Sequence, residues 1–561
     1  LNSPIDARHG AGILPVMKSL MLLVAVVLVG CGKTSWVSDP SDPNNVKIEM
    51  EIRRVLEKPR DQTVDTDGQI VGGELTKADL EKVRDLGLLY TAITDAGFKE
   101  VAKAKPKAPI RIGSQLQLFI DHFLIDSMQG ARLVLHRPLR AEVALKMDKP
   151  WEDSMMYDPV VIKDGSRYRM WYRTNLKSPP FYTGYAESPD GIHWKKPSLG
   201  LIDFKGSKEN NLVWEGDPKA RDKPYTLCVF KDTNPKTPAN ERYKAVGYAA
   251  GAKLGSGLQG LVSPDGLRWK LLKQEPVVPP KGPFDTHSIA FWDATRKEYV
   301  AYTRGWPNGI RRIRRTSTKD FSKFPPPEPI KMVQPIEDPP EHLYKNAATS
   351  YYRRPDIFFM FPKRFIPHRK SYPAWRYRGL SDIVFMSSRD GIHWDRQFRE
   401  AFLRPGRDQL NWHDRAIEVG PGLVPTGDGE MSLYFIEHYR TDSVHIRRGV
   451  LRVDGLVSVH AGYQRGEFVT RPLVFTGMRL VLNLSTSAAG SVQVELQDAN
   501  GRPLPGHALA DCPEIYGDKL ENVVSWKRGP DVKQFAGQPV RLRFVLKDAD
   551  LYSIRFVNEQ Q

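Results

Sequence analysis

Cysteine is scarce: 3 residues in 561, at positions 31, 228 and 512. So few thiols exclude a disulfide framework, an iron–sulfur centre and a cysteine-based zinc site as organising elements. Acidic residues are also short, 66 Asp and Glu against 83 Lys and Arg, which leaves a formal net charge of +17. An excess of that size favours an anionic partner: an acidic polysaccharide, a lipid surface or nucleic acid. No zinc finger or other nucleic-acid module accompanies the charge, so nucleic acid is set aside. The apolar run at 20–29 is too short to span a bilayer comfortably. Turn formers and aromatic rings are abundant, with 44 Gly, 44 Pro and 12 Trp. The length allows two or more independent cores.

From Met17 the chain reads MKSLMLLVAVVLVGC: a lysine, the short apolar run, Gly30 and Cys31. This resembles a bacterial lipoprotein signal, in which the cysteine is lipidated. Residues 17–31 are therefore assigned as a signal, with Cys31 as lipidation site. That implies an exported, membrane-anchored protein, periplasmic or at the cell surface. Residues 32–110 are expected to form a polar tether and a small helix-leaning region. Within it, LGLLYTAITDAGFKEVAKAKP (86–106) resembles one leucine-rich-repeat unit. A single unit cannot bury its own face, so it is read as a spacer.

One heptapeptide recurs. SPDGIHW at 188–194 returns as SPDGLRW at 263–269 and SRDGIHW at 388–394, with weaker copies at Asp320 and at Asp454-Gly455. These aspartates are spaced about 55 to 75 residues apart, room for a four-stranded antiparallel sheet and its loops. The text before each copy, such as PVVIKDGSRYRMWYRT (159–174) and HSIAFWDATRKEYVAYTR (287–304), is aromatic and β-branched and broken by turns. Five units in series imply a five-bladed β-propeller over 115–465. The motif then builds structure: Asp-Gly closes a hairpin and Trp covers the seam between blades. His193 and His393 are accordingly expected at turn surfaces. Residues 468–561 alternate cleanly without the motif and are expected to form a β-sandwich of jelly-roll type.

A single-chain propeller followed by a β-sandwich resembles the furanosidase superfamily, glycoside hydrolase families 32 and 43 and their relatives. More closely, LFIDHFLID (118–126), the repeated turns and VSVHAGYQRGEFVTRPLVF (457–475) resemble exported glycosidase-like proteins of planctomycete-type bacteria. The resemblance covers about residues 115–561. It implies an axial funnel where two carboxylates act on a glycosidic bond, one ionised and one protonated. This chain departs from the superfamily signatures. The invertase-type motif is reduced to MMYDPV at 155–160, and no clear acid motif follows.

On that basis the candidate catalytic carboxylates are Asp158, Asp285 and Glu418. Asp158 opens the inner strand of blade one, Asp285 takes the equivalent place on blade three, and Glu418 is assigned as general acid. Candidate substrate ligands are Trp214 and Glu215 on blade two, His287, Asn346, and the crowded loop His413, Asp414 and Arg415. Arg415 is expected to clamp a carboxylate or sulfate. Asp121 either faces the axis or pairs with an arginine at a seam; Arg304 is one such partner or a rim charge. The basic stretches GIRRIRR (309–315) and FPKRFIPHRK (361–370) are read as solvated rims or as an electropositive mouth.

The leading function is an O-glycosyl hydrolase acting on a polysaccharide or oligosaccharide, with an acidic or sulfated substrate favoured by the charge. A carbohydrate-binding or structural surface lipoprotein remains open, as does lysis or phosphorolysis in the same funnel. No catalytic metal or cofactor is expected, only room for a structural calcium ion. Partners are a glycan and, through the lipid anchor, a membrane, and the chain is read as a monomer.

Overall fold

In this computed structural model the described residues are 108–558, apart from 156, 176–179, 217–222, 250–256, 280–285 and 335–340, together with a short pair, Thr63–Val64 and Ile70–Val71. The chain divides into two units, Leu1–Lys107 and Ala108–Gln561. The expected signal, Cys31, the leucine-rich-like stretch and Asp285 lie outside the described residues.

The recurring heptapeptide forms the same turn at each full copy. Asp190 Oδ1 accepts the amides of Ile192 and His193, both at 2.8 Å. Asp265 does so for Leu267 and Arg268 at 2.9 and 2.8 Å, and Asp390 for Ile392 and His393 at 2.8 and 2.7 Å. The second oxygen of each carboxylate holds His193, Arg268 or His393, each at 2.7 Å. Both histidines are exposed, His193 in the turn itself and His393 at the start of the short strand His393–Trp394. The glycines sit at φ +77°, +75° and +66°, conformations that a side chain would strain.

These turns tie strand sets together. The first sheet contains Tyr157–Asp164, Arg167–Arg173, Phe181–Ser188 and Leu212–Gly216. The second runs Tyr225–Lys231, Tyr243–Ala249, Gly257–Ser263 and Lys270–Leu271, and the third Ile289–Asp293, Glu298–Gly305, Arg312–Thr318 and Glu328–Pro329. The fourth set is split. Thr349–Tyr351, Arg354–Met360 and Met386–Ser388 form one sheet, and His342–Leu343, Lys363–Ile366 and Leu380–Ile383 another. The fifth centres on Glu430–Glu437 and His445–Arg452, with Glu418–Val419 on one side and Leu139–Lys146, from far upstream, on the other.

Neighbouring sets are latched by polar contacts. Trp171 Nε1 of the first donates to the Gly266 carbonyl of the second at 2.8 Å. Tyr299 of the third donates to Asp232 of the second at 2.7 Å. Tyr302 of the third donates to Gly391 at 2.7 Å, and Tyr351 of the fourth to Asp454 at 2.6 Å. Tyr434 of the fifth returns to the Gly191 carbonyl of the first. All five sets contribute to the lining of one open cavity of about 540 Å³, through residues 160–163, 228–231, 289–291, 348–350 and 421–425. Gly420 and Gly422 press the fifth set against the first, because a Cβ at either would strike the carbonyls of Pro159 and Val161, respectively. The described residues are thus a multi-bladed, all-β arrangement.

A separate ten-stranded sheet carries the C-terminal strands, dominated by Arg479–Asp498 paired antiparallel with Pro539–Val557. Its core holds Phe119, Phe468, Phe475, Phe544 and Phe556. Here the sequence boundary is corrected. Residues 115–135, expected at the front of the propeller, join this sheet: Ala131–Leu135 pairs with Val457–Ala461 and Ile125–Gln129 with Gly466–Thr470. Val457 and Val459, which follow the weak copy at Asp454-Gly455, belong to the same sheet. Asp454 joins the two parts, accepting from Tyr351 and Arg353 on one side and Ser553 on the other.

Candidate functional site

Asp158 owes its position to a break in register. Tyr157 pairs with Arg173, but pairing resumes only at Val160 with Trp171, so Asp158-Pro159 forms a bulge. Asp158 sits at φ +62°, costly for a non-glycine residue, and is 2% exposed. Glu418 begins the strand Glu418–Val419 of the fifth set. Lys363 begins Lys363–Ile366, and its amide donates to the Lys345 carbonyl at 3.1 Å. Strand entries from the first, fourth and fifth sets therefore meet.

Their charges interlock. Lys345 Nζ donates to both Asp158 Oδ1 and Glu418 Oε1. Lys363 Nζ donates to Glu418 Oε2 at 2.6 Å and to the Tyr157 hydroxyl at 3.2 Å. The Tyr157 ring supports the cations, with Lys345 Nζ at 3.7 Å and Lys363 Nζ and Arg173 Cζ each at 4.9 Å from its centroid. On the other side of Asp158, Arg173 lies 3.7 Å from Oδ2 and His287 Nδ1 lies 3.9 Å from Oδ1. Asp158 Oδ2 and His287 Nε2 are buried without a hydrogen-bond partner. Desolvating this many charges costs several kcal/mol per ion before pairing, so stability alone does not account for the cluster.

Each environment sets a protonation state. Burial would raise Asp158, but Lys345, His287 and Arg173 outweigh it and hold the carboxyl well below its usual range. Burial lowers Lys363 to about 7, against the opposing pull of Glu418. Burial also lowers His287 to about 4, so its ring is neutral near pH 7. The Tyr157 hydroxyl is pushed well above its ordinary value by burial and by Tyr439 and Glu418.

The loop at 413–415 forms a second polar group. Asp414 Oδ2 accepts from Arg415 Nε at 2.9 Å and Arg440 Nη1 at 2.8 Å, and Oδ1 accepts from Trp375 Nε1 at 2.9 Å. Three donors occupy Asp414, so its role is to orient the arginines. His413 stacks on Trp375 with centroids 4.2 Å apart, and its Nε2 is buried without a partner.

The remaining candidates fall elsewhere. Trp214 and Glu215 lie on the outermost strand of the first sheet, not on the second; Trp214 donates to the Pro224 carbonyl at 2.7 Å and Glu215 meets Lys223 at 3.4 Å. Asn346 Oδ1 accepts the amide of Ala348 at 3.0 Å, so it caps its own loop beside Lys345. Asp121 is committed to Arg389 at 2.7 and 2.9 Å, the seam partnership, with Arg389 in place of Arg304. Arg304 is buried, its Cζ 5.1 Å from the Trp306 ring centroid. Among the described residues no group of three or more His, Cys, Asp or Glu side chains could hold a metal ion.

Sequence reasoning missed Lys345, Lys363, Arg173 and Tyr157. Lys363 belongs to the basic stretch 361–370, expected to be a solvated rim or an electropositive mouth, yet it is 1% exposed. One signal was available: it directly follows FFMFP (358–362), an apolar run whose next residue inherits burial.

No known family matches the sequence. A stretch of 139 residues, 24% of the chain, is 34% identical to an uncharacterized protein of Mycobacterium tuberculosis (strain CDC 1551 / Oshkosh). The same holds for its counterpart in strain ATCC 25618 / H37Rv. The match spans 38% of the length of these curated relatives. Among solved structures, a glycoside hydrolase aligns at TM-score 0.38 and 14% identity, over 56% of this chain and 92% of that one. An N-acetylgalactosamine deacetylase from F. plautii, in complex with blood group B trisaccharide, aligns at 0.39 and 14%, over 57% and 94%. A glycosyl hydrolase from Bacteroides ovatus aligns at 0.35 and 11%, over 59% and 97%.

Proposed function

We propose that the protein is a carbohydrate-active enzyme that cleaves glycosidic bonds, built as a five-bladed propeller with its reaction centre at Asp158 and Glu418. One observation carries the reading: two carboxylates from different sheets are buried together, bridged by Lys345. Because both accept from one ammonium, their nearest oxygens are at most about 6 Å apart, two hydrogen-bond lengths. That is the scale on which paired carboxylates act on an anomeric carbon.

Asp158, kept ionised by its cations, suits the role of base or nucleophile toward the sugar. Glu418 is ion-paired to two lysines, so the leaving-group proton comes from the Glu418–Lys363 couple rather than from a neutral Glu418. With Lys363 titrating near 7, that proton is mobile at physiological pH. The resemblance to exported glycosidase-like proteins supplies the glycan, and lipidation at Cys31 would hold the enzyme where a polysaccharide is met. A non-catalytic glycan receptor is the second reading, favoured by Lys345 standing between the carboxylates. A glycan library screened for released reducing ends, with wild type, Asp158→Asn and Glu418→Gln, separates the two. Turnover lost in both variants, with folding retained, supports hydrolysis. Glycan binding by wild type with no turnover on any bound glycan supports the receptor, and undiminished turnover in both variants rules out this centre.

A further inference from the structure

The cations around the site outnumber the carboxylates. Asp158, Glu418 and Asp414 face Arg173, Lys345, Lys363, Arg415 and Arg440 through direct contacts. Arg311 adds a further positive charge that no carboxylate balances: it forms no ion pair among the described residues. Its Nη1 donates to His342 at 3.0 Å, while its Nε is buried without a partner. The guanidinium lies between rings, 4.2 Å from the Trp306 centroid and 4.4 Å from that of Tyr344. Arg415 lies close by: its amide donates to Ser381 at 3.1 Å, Ser381 pairs with Phe365, and the Phe365 ring centroid is 5.2 Å from the Arg311 guanidinium. Burial, with Arg304 and Arg415 adding to it and Tyr344 opposing it, weakens the hold of Arg311 on its proton. Arg415 donates from Nε to Asp414, leaving its Nη edge unbonded among the described residues, and its side chain is 25% exposed. Trp306, 40% exposed, offers an aromatic face at the same place.

We propose that Arg311 and Arg415 form an oxyanion subsite that receives the carboxylate or sulfate of an acidic sugar, with Trp306 stacking on its ring. The planar forks of two arginines match the geometry of a flat carboxylate or a sulfate edge. Asp414 holds Arg415 by Nε and so presents the Nη edge outward. The aromatic wall adds a contact that free anions do not make. This subsite rests on the glycan reading above and narrows it to acidic glycans.

Calorimetric titration of the full chain with D-glucuronate, glucose 6-sulfate, D-glucose and inorganic sulfate tests it. Both acidic sugars should bind roughly 10- to 100-fold more tightly than glucose, the range of a charged hydrogen bond. They should also bind more tightly than sulfate alone. Arg311→Gln should remove that preference, Arg311→Lys should restore part of it, and Trp306→Ala should weaken the acidic sugars without changing sulfate. Equal binding of glucose and glucuronate, no gain over sulfate, or an unaltered preference in Arg311→Gln overturns the subsite. The outcomes separate from those of the hydrolase reading. Acidic-sugar preference in a protein whose Asp158→Asn variant keeps full turnover sinks the reaction centre alone. Turnover of neutral glycans only, lost in Asp158→Asn, sinks the subsite alone.

Discussion

Asp158, at the entry to the first sheet, and Glu418, at the entry to the fifth, accept hydrogen bonds from the same Lys345 ammonium. Three charges with 2%, 2% and 5% side-chain exposure depend on one another. Removing the cation leaves two buried carboxylates facing each other. Lys345→Met should therefore lose roughly 3–5 kcal/mol of stability, the cost of breaking a buried pair from one side. The double variant Asp158→Asn, Lys345→Met should recover part of that loss, because the remaining carboxylate, Glu418, still pairs with Lys363. Denaturant unfolding of the two proteins reads the difference; a Lys345→Met protein as stable as wild type would show that the bridge does not hold the centre.

Lys363 gives the centre a pH limb. Its burial-lowered value of about 7 means that the ammonium is protonated below that pH and neutral above it. If the proton leaves through the Glu418–Lys363 couple, turnover falls as pH rises through about 7. Lys363→Arg, which stays charged, should move the limb out of the neutral range. Stability follows the opposite course. An unfolded lysine keeps its proton to about 10.4, so between about 7 and 10 this group makes folding more favourable as pH rises. A pH–rate profile of Lys363→Arg that overlays wild type would sink the proton-source role.

His287 makes the fold acid-sensitive in a defined window. Its ring is held neutral in the folded state to about pH 4, whereas an unfolded histidine protonates near 6.5. The stability that depends on the neutral ring is fully present above 6.5 and declines as pH falls from 6.5 to 4. The span amounts to roughly 3 kcal/mol for this buried group. His287→Gln, which cannot titrate, should flatten that window without altering the steeper loss when Asp158 protonates at still lower pH. Thermal midpoints at half-unit pH steps measure it, and parallel curves for the two proteins would contradict the assignment.

Much of the architecture was readable because it is written in short-range chemistry. Ser-x-Asp-Gly-x-x-Trp fixes its own turn through contacts within six residues, so three copies announced three equivalent turns. Asp158 was singled out because MMYDPV stands where the invertase-type motif would, just before apolar Val160 and Ile162, and it lies buried at that strand's entry. What failed were choices made by tertiary pairing. The stretch 118–126 looks like any apolar strand, and only its partners place it in the C-terminal sheet. Trp214 and Glu215 fall close before the second sheet in sequence, yet backbone pairing with Phe181–Thr183 assigns them to the first. Lys345 and Lys363 escaped notice because a lysine reads as a surface residue until its carboxylate partners are known.

The turn glycines offer a matched comparison that isolates the latches from backbone strain. Gly266 sits at φ +75°, and a Cβ there would lie 2.9 Å from Trp171 Cζ2, the ring whose Nε1 donates to its carbonyl. Gly165 sits at φ +63° with nothing within 4 Å of a Cβ. Gly165→Ala should therefore cost only the left-handed backbone penalty, about 1–2 kcal/mol. Gly266→Ala should cost that plus about 1–3 kcal/mol for displacing a fully buried tryptophan from its seam. The excess also has a spectroscopic trace, since Trp171 would lose its hydrogen bond and the near-ultraviolet dichroism of the folded protein would change in Gly266→Ala but not in Gly165→Ala. Equal destabilisation of the two variants, with unchanged dichroism, would mean that the repeated turn closes hairpins without fastening one sheet to the next.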